Sequence, residues 1–239
     1  MESINSNFWV LIPAYNPGAD LPGYVQELAL AGINNILVVN DGSDPSLDTI
    51  FAGLAQIPQV TLLQHPANAG KGAAIKTGVS FLLENVPGCE GIVTVDADRQ
   101  HAVLDALAVL SELPSRDGHL VLGCRDFWQK HVPTHNRIGN LLTCRVFRLC
   151  YGLDISDTQT GLRGIRREHF PLLLSIPYNR YEYEMEMLIR FGRAGVVISE
   201  IPIQTIYIDH NSSSKFNPLK DSLRVYSVIA RGLFRHGER

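Results

Sequence analysis

A pair of carboxylates follows an apolar stretch near the middle of the sequence. Residues 91–101 read GIVTVDADRQH, in which the apolar run stops at Asp96 and a second carboxylate follows at Asp98. Alternate residues of an extended segment face the same side, so Asp96, Asp98 and Gln100 can converge. Three oxygen-bearing side chains without sulfur suit a hard cation, Mg²⁺ or Mn²⁺. Such a cation completes its shell with water and phosphate oxygens, so the fitting substrate is a nucleoside diphosphate that carries a transferable group.

Four other polar clusters follow apolar runs in the same way. They are PAYN (13–16), NDGS (40–43), NAGKG (68–72) and CRD (124–126). One such cluster alone is typical of a turn or a helix cap. Five of them indicate a site, because ligands of open α/β sheets bind at the carboxyl ends of the strands.

The glycine patterns argue against other nucleotide-binding and hydrolytic sites. The GKG at 70–72 lacks the earlier glycine and the following Ser or Thr of a P-loop. No GxGxxG follows the first apolar run, which disfavours a nicotinamide or flavin enzyme, and no GxSxG marks a hydrolase nucleophile.

The elements that must position the polar clusters alternate along the first half of the chain. Apolar runs at 8–12, 35–39, 60–63, 91–95 and 119–123 predict buried strands. The segments between them, 20–32, 45–55, 71–85 and 103–113, have helical spacing. This alternation predicts an α/β fold, with a parallel sheet and helices on both of its faces.

The second half of the chain shows less regular alternation. Segments 135–152 and 180–195 predict long helices, 195–208 an extended segment and 218–236 a final helix. With 239 residues, 45% of them hydrophobic, we expect one domain over 1–239. Its parts would be a first half at about 8–125, a second half at about 126–217 and the helix at 218–236.

Composition narrows the class of partner and the compartment. A net charge of −3 and an average composition argue against disorder and against nucleic acid as a partner. The four cysteines show no metal-ligand spacing, which favours reduced thiols in a cytoplasmic protein. We see neither the pattern of a signal peptide nor an uninterrupted apolar stretch long enough for a membrane span.

The motifs taken together resemble those of the family-2 glycosyltransferases of GT-A fold. The matching stretches, in chain order, are VLIPAYN, VVNDGS, NAGKGAAIKTG, VDADRQH, GCRD, DTQTGLRGI, YEYEMEML and EIPI…NSSSKF. They look closest to the branch that contains dolichyl-phosphate mannose synthase and the bacterial polyprenyl-phosphate sugar transferases. The resemblance implies a Rossmann-like GT-A domain with a mixed, mostly parallel sheet. Within that domain, about 8–125 would be the nucleotide-sugar half and about 126–217 the acceptor half.

The resemblance also implies roles for individual residues. A UDP- or GDP-sugar would lie against Asp41, Lys71 and the segment Pro13, Ala14, Tyr15 and Asn16, with Asp41 hydrogen-bonding the base or ribose. Mg²⁺ or Mn²⁺ would be held by Asp96, Asp98 and Gln100. Arg125 and Arg137 match the arginines that hold an acceptor phosphate in the lipid-phosphate branch.

The residues are compatible with two kinds of acceptor, a phosphate and a hydroxyl group. Transfer with inversion to an ionised polyprenyl phosphate needs no base, whereas transfer to a hydroxyl of a glycan needs one, for which Glu182, Glu184 or Asp157 are candidates. The three glutamates 182, 184 and 186 also fit a solvated helix face with helical pairings to Arg190, an interpretation that suits Glu182 best. A catalytically silent nucleotide-sugar-binding subunit is a third hypothesis, which the intact carboxylate pair disfavours.

The C-terminal segment carries a basic amphipathic pattern. Residues 215–239 have a net charge of +4, whereas the rest of the chain carries −7. An apolar stripe in 218–236 fits a helix packed on the domain, and it equally fits a helix lying on an anionic membrane surface. The second interpretation predicts a cytoplasmic protein bound peripherally at the cytoplasmic membrane face; no particular protein partner is predicted.

Overall fold

The computed structural model describes residues 7–115, 119–129 and 132–206, with the side chains of residues 135 and 136 excepted. These residues contain a seven-stranded sheet in the order β3-β2-β1-β4-β6-β5-β7. The strands are β1 (Phe8–Ala14), β2 (Ile36–Asn40), β3 (Val60–Gln64), β4 (Gly91–Thr94), β5 (Leu120–Arg125), β6 (Arg163–Arg166) and β7 (Ile198–Ile203).

Helices cover both faces of this sheet. They are α1 (Leu21–Leu30), α2 (Asp48–Leu54), α3 (Lys71–Asn85), α4 (Val103–Glu112), α5 (Thr134–Tyr151), α6 (Phe170–Leu174) and α7 (Glu182–Arg193). Buried residues of α3, α5, α6 and α7 form the core on one face, and those of α1, α2 and α4 form the core on the other. The α/β fold with a mixed, mostly parallel sheet is therefore confirmed.

The strand register places the polar clusters at one edge of the sheet. Ala14, Asn40 and Gln64 are aligned across β1, β2 and β3, and Leu11 of β1 is aligned with Thr94 of β4. All four strands are parallel, so the loops that follow them leave from the same edge. The same edge receives the end of β5, because β6 is antiparallel to both β4 and β5.

Strand β6 is an element that the sequence pattern did not predict. Its four residues, RGIR, contain two arginines and no apolar run, yet the strand lies buried in the middle of the sheet. Gly164 provides room there, because a Cβ at this position would meet Val109 and Leu113 side chains at 3.0 and 2.9 Å. Strand β6 is buried because it lies between β4 and β5 in the sheet, and its own sequence does not indicate this burial.

The predicted division of the domain falls inside this sheet. Strands β1 to β5 belong to the proposed nucleotide-sugar half, and β6 and β7 from the acceptor half complete the same sheet. The domain boundaries stay a prediction, and the helix predicted at 218–236 lies outside the described residues. Among the helices that are described, none is both long and apolar enough to cross a membrane.

Candidate functional site

The loops after β1 and β2 are joined to each other. Pro13 and Ala14 end β1, and Asn16 follows in a left-handed conformation with φ of 46°. The Asn16 backbone N–H donates to Ser43 Oγ at 2.9 Å, and Asn16 Oδ1 accepts from the Asp44 backbone N–H at 2.8 Å. Tyr15 between them is exposed. The predicted nucleotide-lining segment therefore abuts the NDGS loop.

Asp41 is buried at the end of β2 and anchors the NAGKG loop. Its Oδ1 accepts from the Ala69 backbone N–H at 2.9 Å and lies 2.7 Å from His65 Nδ1. Its Oδ2 accepts from the Gly70 backbone N–H at 2.8 Å and from Asn68 Nδ2 at 2.9 Å. Four polar partners surround the carboxylate, so its visible role is to shape the entry to α3. A contact with base or ribose stays a prediction.

Lys71 opens α3 and joins two carboxylates from other parts of the chain. Its Nζ lies 2.7 Å from Asp96 Oδ1 and 2.9 Å from Glu184 Oε1. Burial alone lowers the pKa of Lys71, but the two neighbouring negative charges outweigh it and raise this pKa above its ordinary value. Lys71 therefore forms ion pairs that connect the loop after β4 with helix α7.

Asp96 is enclosed by the lysine, a glycine and a histidine. A Cβ on Gly161 would collide with the Asp96 carboxylate, so a larger residue at this position would displace the carboxylate. Burial raises the pKa of Asp96, but the charge of Lys71 and the proximity of His101 bring it well below its ordinary value. His101 Nε2 lies 3.4 Å from Asp96 Oδ2, and neither nitrogen of this buried ring has a hydrogen bond within the described part of the chain.

Asp98 has the opposite electrostatic environment, although it stands only two residues away. Burial raises the pKa of Asp98, and the negative charge of Asp96 raises it further. One oxygen accepts from the Gln100 backbone N–H at 3.2 Å. Asp98 forms no ion pair with any of the described residues, so a bound cation would remove the repulsion between the two carboxylates.

The residues present fit a hard divalent cation that is shared with a substrate. In the described ranges, no group of three or more His, Cys, Asp or Glu side chains is placed to hold a metal ion. Asp98 is the more available of the two carboxylates, because Asp96 already pairs with Lys71. A cation held by Asp98, with Asp96 and Gln100 nearby, would need oxygens from water or a diphosphate, which is how Mg²⁺ is usually bound in proteins.

Helix α1 contacts the loop 96–101, which carries the two carboxylates, and the sequence did not predict these contacts. Tyr24, which is buried, donates its hydroxyl to the His101 carbonyl at 2.6 Å. Arg99 has a φ of 61°, unusual for a residue with a side chain, and its Nη2 lies 2.8 Å from each carboxylate oxygen of Glu27. Tyr24 and Glu27 share one helix face, but no local pattern links that face to residues 99–101.

The two arginines predicted to hold an acceptor phosphate lie on either side of one loop. Arg125 ends β5 and pairs with the fully buried Asp157 through Nε at 2.7 Å and Nη2 at 3.1 Å. Arg137, in the first turn of α5, donates from Nε to the Phe127 carbonyl at 2.7 Å. The Arg125 guanidinium lies over the Phe127 ring and that of Arg137 over the Trp128 ring. Both cations therefore flank the segment 126–129.

The acidic residues of α7 are largely removed from solvent. Glu184 is buried against Lys71, and Glu186 is buried and pairs with Arg190 Nε at 2.8 Å. The solvation that this interpretation expected is therefore wrong for these two residues, although the helical pairing with Arg190 is present at Glu186. Glu182 is partly buried, and its Oε2 has no hydrogen bond within the described residues.

Arg163 of β6 is a further residue that sequence reasoning missed. This side chain is fully buried, and it donates from Nε to the Thr160 carbonyl at 2.9 Å and from Nη1 to the Glu184 carbonyl at 2.7 Å. It thereby connects the loop before β6 with the first turn of α7, which carries Glu184. The stretch DTQTGLRGI contains this arginine, but the pattern does not say that the residue is buried.

The protein has an α/β fold, and a pair of carboxylates lies at the ends of the sheet strands. Residues 9–173 match the model of Glycosyl transferase family 2. The chain belongs to this family, and it is a glycosyltransferase. This result confirms the family and the enzyme class that the motifs predicted.

Relatives with similar sequences span most of the chain. A UDP-N-acetylglucosamine–dolichyl-phosphate N-acetylglucosaminyltransferase of Methanococcus voltae is 29% identical over 87% of this chain and 89% of its own length. An uncharacterized protein of Methanocaldococcus jannaschii is 29% identical over 98% and 96%. A dolichyl-phosphate hexose transferase of Haloferax volcanii is 29% identical over 68% and 67%.

A solved structure supports the fold. Glucosyl-3-phosphoglycerate synthase of Mycobacterium tuberculosis, crystallised with Mn²⁺, UDP and glucosyl-3-phosphoglycerate, superimposes with a TM-score of 0.71. The match covers 98% of this chain and 81% of that one at 20% identity. At this identity the likeness concerns the fold.

Proposed function

We propose that this glycosyltransferase moves a sugar from a UDP- or GDP-sugar to a polyprenyl phosphate, such as dolichyl or undecaprenyl phosphate, with inversion at the anomeric carbon. One observation carries the proposal: two of the three carboxylates that could act as a base are already paired with cations. Glu184 is bound to Lys71, and Asp157 is bound to Arg125. A phosphate acceptor is ionised at neutral pH and needs no base, so it suits such a site.

The donor would bind where the loops after β1, β2 and β4 meet. Pro13, Ala14, Tyr15 and Asn16 would line the nucleotide pocket, beside the loop that Asp41 anchors. Mg²⁺ or Mn²⁺ held by Asp98, with Asp96 and Gln100, would supply Lewis-acid stabilisation of the charge on the departing diphosphate. Lys71 keeps Asp96 ionised and thereby keeps the site anionic toward such a cation.

The acceptor phosphate would be held by Arg125 and Arg137. Asp157 fixes the Arg125 guanidinium by a two-point contact, and the Phe127 carbonyl fixes that of Arg137. Guanidinium groups suit phosphate because their N–H donors match its oxygens. In the transfer, a phosphate oxygen forms a bond to the anomeric carbon while the bond from that carbon to the diphosphate oxygen breaks. The leaving diphosphate takes the electron pair, and no proton has to move.

The names of the relatives support this acceptor. The relatives from Methanococcus voltae and Haloferax volcanii are named for dolichyl phosphate. A polyprenyl phosphate lies in a membrane, so the enzyme would have to reach its acceptor at the membrane surface. We place the enzyme at the cytoplasmic membrane face, with the helix predicted at 218–236 as one contact with anionic lipid.

The test uses purified protein, a panel of labelled UDP- and GDP-sugars, and two matched acceptors. Dolichyl phosphate or undecaprenyl phosphate should become labelled in the lipid fraction, and the corresponding free polyprenol should not. Chelator should abolish labelling, and added Mg²⁺ or Mn²⁺ should restore it. Labelling of the free alcohol in preference to the phosphate would contradict the proposal.

A hydroxyl acceptor is the second candidate, and one observation favours it. Glu182 Oε2 has no hydrogen bond within the described residues, so this carboxylate is the one of the three candidates without a cation partner there. Under this alternative Glu182→Gln should lower kcat by roughly 10²-fold or more, as loss of a general base does. Under the phosphate proposal the same substitution should leave kcat nearly unchanged.

A further inference from the structure

Helix α5 presents large apolar side chains to solvent. Ile138, Leu142 and Leu149 are 60, 50 and 86% exposed, and Trp128, in the loop that contacts the first turn of α5, is 70% exposed. At about 100° per residue, Ile138, Leu142, Arg145 and Leu149 fall within about 60° of one another around the helix. We call these four residues the outer face of α5.

The opposite side of the helix holds α5 on the domain. Phe147 is buried in the core, and Asn140 donates from Nδ2 to the Ser156 carbonyl at 2.7 Å and accepts from the Thr158 backbone N–H at 3.2 Å. These contacts lie on either side of Asp157, the partner of Arg125. The inner side of α5 therefore supports the acceptor arginine while the outer face points away from the core.

The charge of α5 has one sign. The helix contains Arg137, Arg145 and Arg148 and no Asp or Glu. Arg148 approaches Asp154 at 3.9 Å, and both side chains are largely exposed, so this pair contributes little. Elsewhere in the described helices, large exposed apolar residues stand singly, as Leu30 does on α1 and Leu104 on α4. Exposed apolar residues and cations therefore coincide on α5, which has no acidic residue of its own.

We propose that the outer face of α5, together with Trp128, is a docking surface for an anionic lipid bilayer. The inference rests on the proposed polyprenyl phosphate acceptor and adds the surface that meets the membrane. Apolar side chains flanked by arginines suit the interface between head groups and acyl chains, and tryptophan is favoured there. Arg137 lies in the same helix and over the Trp128 ring, so docking would bring it to the depth of lipid phosphates.

The test measures binding of the full chain to vesicles of phosphatidylcholine, alone or with phosphatidylglycerol, by the emission of Trp128. Binding should shift this emission to shorter wavelength, and Trp128→Phe should remove the shift. Leu142→Ser combined with Leu149→Ser should lower the partition coefficient roughly tenfold or more. Arg145→Gln should lower it roughly fivefold on anionic vesicles and little on neutral ones. The matched control combines Leu30→Ser with Leu104→Ser and should bind like wild type.

Two outcomes would overturn the docking surface. One is that the Leu142→Ser, Leu149→Ser variant binds anionic vesicles as strongly as the Leu30→Ser, Leu104→Ser control. Both variants keep residues 207–239, so a difference in binding can come only from the altered surface. The other is that a water-soluble quencher does not reduce the emission of Trp128 before vesicles are added. That result would mean that another part of the chain or a second copy covers the outer face of α5.

Failure of this surface can be told apart from failure of the proposed function. Transfer to a short, water-soluble isoprenyl phosphate needs no bilayer, so the α5 double variant should retain wild-type activity on it. Wild-type protein that binds vesicles but cannot use this acceptor would contradict the proposed function alone. Wild-type protein that uses it but does not bind vesicles would contradict the docking surface alone.

Discussion

Replacing Lys71 by methionine should test whether the bridge between β4 and α7 holds the site together. The lysine Nζ contacts Asp96 at 2.7 Å and Glu184 at 2.9 Å, and the exposed fractions of the three side chains are 17, 28 and 11%. Methionine fills a similar volume but leaves two partly buried carboxylates without a counter-charge.

The expected cost follows from this geometry. Removing one partner of a buried ion pair costs about 3–5 kcal/mol, because a buried charge is left uncompensated. A domain of this kind has a stability of about 5–15 kcal/mol, so the loss should be large but compatible with folding. Glu184→Gln should cost about 1–2 kcal/mol when Lys71 is present and almost nothing in the Lys71→Met background. The coupling between the two sites should therefore be about 1–2 kcal/mol.

Urea unfolding of the four proteins in this cycle would measure that coupling. The matched control is Lys76→Met on the same helix, because Lys76 Nζ donates to the Ile176 carbonyl and Asn179 Oδ1, lies over the Tyr183 ring, and forms no ion pair within the described residues. This control should cost about 1 kcal/mol. A Lys71→Met cost no larger than that of Lys76→Met, or equal Glu184→Gln costs in both backgrounds, would refute the reasoning.

The pH dependence of the Lys71→Met cost gives a second check. The lowered pKa of Asp96 means that its ionised form stabilises the fold above the ordinary carboxyl pKa, and that this contribution is lost as pH falls through the folded-state value. The raised pKa of Lys71 means that its contribution is present below the ordinary lysine pKa and is lost as pH rises through the folded-state value. The cost should therefore be constant around neutral pH and should shrink in strong acid.

Four further substitutions separate the roles of the remaining site residues. Asp98→Asn should abolish sugar transfer. In the presence of chelator it should also raise the urea concentration at the unfolding midpoint, because the raised pKa of Asp98 means that its ionised form destabilises the metal-free fold at neutral pH. An unchanged or lower midpoint would contradict this expectation. Asp41→Asn should lower the free energy of unfolding by about 1.5–3 kcal/mol. Unchanged stability with weaker nucleotide binding, measured by calorimetry, would instead favour a direct contact with base or ribose. Arg137→Ala should cripple transfer to lipid phosphate and spare nucleotide binding, and Arg125→Ala should do the same while also destabilising the fold by about 3 kcal/mol, because it strands a buried carboxylate; full transfer by both would move the acceptor phosphate elsewhere.

The sequence alone determined the framework of the donor side. Short apolar runs that end in polar clusters predicted the positions of β1 to β5 to within about two residues, and strand–helix alternation predicted a sheet covered on both faces. These signals are local, because a strand buried within a parallel sheet is usually apolar along its own length. The carboxylate pair at Asp96 and Asp98 could be recognised for the same reason, since it directly follows such a run.

Tertiary structure decided which charged groups meet. Lys71 and Glu184 are 113 positions apart and Arg125 and Asp157 are 32 apart, so no periodicity could pair them. The opposite pKa shifts of Asp96 and Asp98 likewise depend on which carboxylate the lysine reaches. Strand β6 escaped prediction because its buried arginine is satisfied by backbone carbonyls of residues 158, 160 and 184, which only the folded chain brings around it. An apolar run in the sequence indicates a buried segment, whereas the burial of a charged residue and the identity of its partner are set by the topology of the fold.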